Sequence, residues 1–266
     1  MEKILVVVFE NEQRAAEGSE ALQALHNDGT ITLYDKAVIA KDAQGNAAVK
    51  QPPQETPIGS IVGLTTGALL GMIGGPVGMA LGAGIGTVGG MITDLWVLGV
   101  GEDFLAEVQR ELKPGKAAVV AEVWEDWVIP VDTRMERAGG HVMRRTVSEV
   151  RHAVIERESD AIEAEISDLK AELEKAAGDA KTKLQAKLNA AKIHLQSNQS
   201  RAKAAVEKGK QTADAKMKAL QEQAGRIRGE AKANVEARLA KVRTEYKRRA
   251  DKLSQAWEMT KQALTV

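Results

Sequence analysis

The sequence predicts a small α+β sandwich that carries an inserted helical hairpin and is followed by a very long α-helix. Three observations predict it. Through residues 1–146, short β-branched runs alternate with amphipathic stretches of helical length. An uncharged segment from Thr56 to Thr93 interrupts them, with glycine at every fourth position. From Ser148 onward there is no proline, and apolar residues recur at one steady interval.

In order, Lys3–Phe9 (KILVVVF) reads as a buried strand. Asn11 can cap a helix whose apolar side is Ala15, Ala16, Ala21, Leu22 and Leu25, and Asp28-Gly29 ends it. Thr30–Ala40 is a second strand. A turn at Asp42-Ala43-Gln44-Gly45 returns the chain along Asn46–Lys50. After the uncharged segment, Glu102–Leu112 is helical, with Phe104, Leu105, Val108 and Leu112 on one face. Pro114-Gly115 turns into a strand at Lys116–Val123 (KAAVVAEV). Asp126–Ala138 is a helix with Pro130 near its start, Gly139-Gly140 ends it, and His141–Val147 is the last strand. This order suggests a mostly antiparallel sheet, ferredoxin-like with the hairpin inserted.

Within the uncharged segment the glycines are Gly59, Gly63, Gly67, Gly71 and Gly75, then Gly74, Gly78, Gly82, Gly86 and Gly90. Residues four apart share a helix face, and a face of glycine is a flat groove that lets another backbone approach closely. Each glycine also costs a helix about 1 kcal/mol relative to alanine, so close packing or lipid must offset the loss. The expectation is a hairpin over 57–93, turning at Gly74-Gly75-Pro76, with glycine face on glycine face. Each arm has about 16 residues, roughly 24 Å of helix against the ~30 Å of a bilayer core.

In the C-terminal part the apolar stripe runs Ile162, Ile166, Leu169, Leu173, Ala177, Ala180, Leu184, Leu188, Ala191, Leu195. It resumes at Ala224, Ile227, Ala231, Val235, Leu239, Val242, Tyr246, Ala250, Leu253, Trp257. Both halves average about 3.67 residues per step, the eleven-residue repeat of a straight or slightly right-handed coil. As one helix, 147–266 would reach roughly 175 Å. Gly178, Gly209, Gly225 and Gly229 are its weak points, and Gln199 and Lys210 interrupt the stripe.

Charge is graded along the chain. Residues 1–146 carry 12 basic and 19 acidic side chains, 147–175 carry 4 and 9, and 176–266 carry 21 and 9, so the distal end is the basic end. There is no cysteine, which removes disulfides, thiolate metal sites and thiol catalysis. Aromatics are only 3% of residues, so the core must be aliphatic. Met1-Glu2-Lys3 leads straight into the first strand, and no signal peptide is read. His26, His141, His152 and His194 include no pair at helical metal spacing. The glycine stretch has no Walker lysine and no dinucleotide fingerprint, and Gly59-Ser60 is no nucleophile elbow. Glu102-Asp103 and Glu125-Asp126 read as helix-capping acids.

Residues 1–146 resemble a bacterial family catalogued as a domain of unknown function numbered twelve sixty-nine and described as predicted membrane proteins. The resemblance rests on KILVVVF, ITLYDKAVIAKDAQGNAAVKQ, the hairpin IGSIVGLTTGALLGMIGGPVGMALGAGIGTVGG, and KPGKAAVVAEVWEDWVIPVDTRMERAGGHVMRR. It implies a membrane-associated label and no catalytic residues. Asp132-Thr133-Arg134 matches the family's motif and reads as a helix start or an intersubunit contact. The long tail departs from the short members of the family.

These features lead to a non-enzymatic, self-assembling structural protein. It would oligomerise through the head, the glycine hairpin and parallel long helices, on the cytoplasmic face of a membrane or in the cytoplasm. The packing residues are Gly59, Gly63, Gly67, Gly71, Gly75, Gly78, Gly82, Gly86 and Gly90. The long-helix seam is Ile162, Ile166, Leu169, Leu173, Leu184, Leu188, Leu195, Val235, Leu239, Val242 and Leu253. The alternative is a peripheral lipid-binding protein that inserts the hairpin and lays its basic helix on anionic lipid. The partner is a second copy of the chain, with membrane lipid in the alternative. No cofactor or metal is expected, and nucleic acid is not expected because the basic residues alternate with acids and lack interleaved aromatics.

Overall fold

The computed structural model describes residues 1–53, 60–85, 102–147 and 151–265; of 60, 74–85, 102, 151–161, 163, 198–199, 201–206, 208 and 249–265 it describes the backbone alone. The protein is mixed α/β. Strand β1 is Glu2–Phe9, β2 Thr32–Lys41, β3 Ala47–Gln51, β4 Ala117–Trp124 and β5 His141–Thr146. They form one sheet in the order β3-β2-β4-β1-β5, antiparallel at every neighbour. Helix α1 is Glu12–Asn27, α2 Ser60–Ile85, α3 Glu102–Glu111 and α4 Ile129–Arg137. Helix α1 joins β1 to β2 with β4 lying between them; α4 joins β4 to β5 with β1 between them.

Period two along each strand sorts the side chains. Leu5, Val7, Phe9, Val119, Ala121 and Val123 point to one face, where Leu22 and Leu25 of α1 and Val131 and Met135 of α4 cover them. Asn11 caps α1 as expected, accepting a hydrogen bond from the Arg14 amide at 2.9 Å. Gly18 lets α1 settle on the Phe9 ring: a Cβ there would lie 2.2 Å from it. Ile4, Val6, Val8, Ile39 and Val120 point to the opposite face, under α2 and α3.

Helix α2 corrects the expected turn. It runs without a break through Gly74-Gly75-Pro76. Proline has no N–H and so leaves the carbonyl four residues earlier unpaired. That carbonyl belongs to Met72, and the side-chain amide of Gln109 on α3 donates to it at 3.0 Å. The neighbouring helix thus supplies the bond that proline withholds. All ten residues from 61 to 70 are buried, on every side of the helix. The second arm of the expected hairpin, from 86 to 93, lies outside the described residues.

The single long helix is also corrected. The tail forms α5 (Arg151–Lys175), α6 (Gly178–Arg226) and α7 (Gly229–Thr265). Gly178 and Gly229 open α6 and α7 at φ +59° and +64°, a backbone region that glycine adopts without strain. Gly209 and Gly225 stay inside α6. The chain divides into two compact units. One is Met1–Glu149 with Thr212–Arg243; the other is Val150–Gln211 with Thr244–Val266. In the second unit, Ile162, Ile166 and Leu169 of α5 and Leu188, Ala191 and Leu195 of α6 form one buried cluster, flanked by Leu173 and Leu184.

Candidate functional site

The feature richest in buried chemistry lies in the first unit, where Thr212–Arg243 packs on the sheet. It begins with a bulge in β2 between Leu33 and Asp35. A bulge re-aims side chains. Here Tyr34 joins Trp124 in a cluster with Leu220 and Ala224 of α6 and Val235 and Val242 of α7, flanked by Met217, Ile227 and Leu239.

Three polar side chains anchor these helices. Lys216 is buried; its Nζ lies 2.7 Å from Glu122 Oε1, also pairs with Glu2, and sits 5.1 Å from the centre of the Tyr34 ring. Gln223 donates from Nε2 to the carbonyls of His26 (2.6 Å) and Ile31 (2.7 Å), and its Oε1 accepts from the Thr32 hydroxyl at 2.7 Å. Arg238, 2% exposed, donates to the Gly29 carbonyl (3.1 Å) and the Thr30 carbonyl (2.8 Å) and pairs with Asp126 at 2.8 Å. The α1–β2 turn therefore offers its carbonyls, and the tail supplies the donors. Buried polar groups are costly unless bonded, so these contacts fix one docking position.

The electrostatics are uneven. Burial pushes the Glu122 carboxyl well above the usual carboxylate range; Lys216 opposes this and Glu2 adds to it. Burial would discharge Lys216, but Glu122 and Glu2 outweigh it, and the ammonium is held above its ordinary value. Burial also raises the Tyr34 hydroxyl, and Glu2 adds to the shift. Asp126 is lowered: burial acts against ionisation, but hydrogen bonds from Arg238 and Trp124 prevail. His26 is lowered by burial and by Arg226 and Arg238. Its neutral Nδ1 accepts the Leu33 amide at 3.2 Å.

A second buried acid, Glu125, takes Lys3 at 2.9 Å and Arg144 at 3.1 Å. Arg144 also pairs with Asp132, in the first turn of α4. Glu125 and Asp126 are thus ion-pair partners, not helix caps, and α4 starts at Ile129 with Val128 as its N-cap.

The sequence-derived packing residues fall as follows. Gly63 and Gly67 are buried in α2, Gly71 is half-buried, and Gly75, Gly78 and Gly82 continue the same helix. Gly59, Gly86 and Gly90 lie outside the described residues. The seam from Ile162 to Leu195 comes together inside one unit. Val235, Leu239 and Val242 pack against the sheet, and the side chain of Leu253 lies outside the described residues. Among the described residues no group of three or more His, Asp or Glu side chains could hold a metal ion. No helix there is long and apolar enough to cross a membrane.

Residues 60–160 match the model of a family described as protein of unknown function (DUF1269). Over this stretch the chain is similar to that family. The matched stretch begins at α2 and ends in α5, so it includes Glu122, Glu125 and Asp126 but not Lys216, Gln223 or Arg238. No curated protein and no solved structure matches the chain.

Sequence reasoning missed the three anchors. The signal was Glu122, a lone acid in the apolar run KAAVVAEV. A carboxylate in a central strand demands a cation from elsewhere in the chain.

Proposed function

We propose that this is a non-enzymatic structural protein that associates with copies of itself through close helix packing, using the glycine-spaced segment. One observation carries the reading: residues 61–70 of α2 are buried on every side. A glycine-faced helix needs such surroundings, and here the first half of α2 is rooted in the head. The same spacing continues through Gly78, Gly82, Gly86 and Gly90 without a charge. We assign those positions to the contact between copies. The 162–195 seam is a weaker candidate, because its residues already bury one another. The interleaved order β2-β4-β1-β5 supports reading the head as ferredoxin-like, with β3, α2 and α3 inserted.

A peripheral membrane role is the second reading, favoured by a different observation. Met1, Trp127 and Ile129 are 70%, 74% and 71% exposed. Lys241, 61% exposed, lies 3.8 Å from the adjacent Asp126. An exposed tryptophan and isoleucine beside a lysine suit the boundary of an anionic bilayer.

Light scattering on the eluting peak of detergent-free protein separates the two. The first reading expects a discrete multiple of 28.5 kDa, reduced to one chain by Gly82→Leu with Gly86→Leu while the sheet signal persists. A single chain at every concentration, or a double variant that still assembles, would overturn it. Salt-sensitive pelleting with anionic vesicles, lost on Trp127→Ala, would establish the second.

A further inference from the structure

The seam between α5 and the first part of α6 is symmetric in sequence. Leu173 and Leu184, Leu169 and Leu188, Ile166 and Ala191, and Ile162 and Leu195 lie at equal separations from the Gly178–Asp179 bond. The fold-back uses this symmetry within one chain, where these residues form one cluster. A twofold axis through the same bond would use it equally well between two chains, because antiparallel copies of the segment make the same pairs. Two observations point to the second use. The first is phase. Leu169, Leu173, Ala177, Ala180, Leu184 and Leu188 keep their steps of four and three residues straight across the bend. A fold-back sets its two arms independently and has no need of that phase; a straight helix needs it to hold one apolar face. The second is the bend itself. Ala176 and Ala177 alone separate α5 from α6, and alanine is the strongest helix former. Gly178 turns at φ +59° with open space where a Cβ would stand, so straightening it breaks no side-chain packing there. Charge sets the direction of pairing. Residues 162–175 carry five acidic and two basic side chains, and 179–195 carry one acidic and four basic. Antiparallel pairing lays the acidic arm along the basic one, whereas parallel pairing would lay like on like.

We propose that two copies of the chain exchange these arms: the bend at 176–178 straightens, and residues 162–195 of each copy pair antiparallel with the same residues of the other about a twofold axis at the Gly178–Asp179 bond. Every pair of the fold-back is remade between chains. The packing is unchanged, and the balance rests on the bend and on chain concentration. A seam that already buries itself within one chain is the condition for such an exchange. The contact is separate from the glycine-spaced one and stands with or without it.

Gly178→Ala moves the balance from the hinge. Alanine strains the left-handed bend by about tenfold in population and favours the straight helix, and its Cβ meets open space. Each dimer has two hinges, so the monomer–dimer dissociation constant should fall by about a hundredfold. Light scattering over a concentration series measures it, in the Gly82→Leu with Gly86→Leu background so that the glycine contact does not contribute. Gly209→Ala, also in open space but inside α6 in both forms, should leave the constant unchanged. The absence of cysteine gives a second readout, taken in the otherwise unaltered chain. Chains with Leu169→Cys and chains with Leu188→Cys are unfolded together in urea, refolded at high concentration and oxidised. Peptide mapping should find position 169 joined to position 188 across chains. One chain with both substitutions, refolded at high dilution, closes on itself and reports that the two positions are within reach. A Gly178→Ala chain that stays single at every concentration, or that dissociates as the parent does, would overturn the exchange. So would a mixture that joins only 169 to 169 and 188 to 188, the mark of parallel helices, or one that stays unlinked while the double variant closes.

Discussion

Gly29 concentrates three demands in one residue. It turns the chain at φ +80°, its carbonyl accepts from Arg238, and a Cβ there would lie 2.9 Å from Ile227 Cδ1 and 3.1 Å from Ala231 Cβ. Gly45 has a similar φ, +91°, with open space around it. The pair separates backbone strain from crowding. Gly45→Ala should cost about 1 kcal/mol, the strain of a non-glycine residue in the left-handed region. Gly29→Ala should cost more and should also raise amide exchange over 227–235. Urea denaturation of the two variants measures the difference. Equal costs, with exchange over 227–235 unchanged, would mean that the tail does not bear on the turn. Gly29 shows the limit of sequence reading at this scale. Asp28-Gly29 was legible as the end of α1, but nothing local announces that a helix from the far end of the chain rests on it.

At the scale of elements, the strands and the helices of the head were legible because each buries its own periodic face. The start of α4 moved from Asp126 to Ile129 because Asp126 is held by Trp124 and Arg238. The tail was legible as helix, but its partner was not. A stripe of 3.67 spacing records which side is buried and says nothing about whether the cover is another copy or the same chain. One clue was present. Leu173 and Leu184, Leu169 and Leu188, Ile166 and Ala191, and Ile162 and Leu195 lie symmetrically about the Gly178–Asp179 bond. The two arms of a fold-back require that symmetry, and Gly178 at positive φ supplies the bend. Likewise Pro76 signalled a turn only so long as nothing else could bond to Met72, and Gln109 does. The fold-back makes its own prediction. Leu195, 2% exposed, should cost about 2–4 kcal/mol on truncation to alanine. Ile193, 67% exposed two residues earlier, should change stability by no more than about 0.5 kcal/mol. Helical signal in urea distinguishes them. If the two variants melt together, the 162–195 cluster is not what stabilises this unit.

For the whole molecule, the charge gradient acquires a physical use. The acidic first part of the chain and its basic distal part meet at the buried contacts of Lys216 with Glu2 and Glu122, and of Arg238 with Asp126. Surface charge attraction would fade within a Debye length in salt, whereas buried pairs are screened far less. The docking of Thr212–Arg243 on the sheet should therefore survive salt that would dissociate a merely electrostatic contact. A chain ending at residue 211 should lose stability through the uncovered Tyr34–Trp124 face and the unpaired Glu122. A separate 212–243 peptide should restore it by binding in trans. Calorimetry between the two at low and at about 0.5 M salt gives the decisive numbers. Binding that persists with little loss of affinity, and that disappears when the peptide carries Lys216→Ala with Arg238→Ala, would show that these anchors read the sheet in the absence of any tether. Binding abolished by salt would place the attraction in surface charge. No binding at either salt concentration would mean that the helices stay on the sheet only because the chain holds them there.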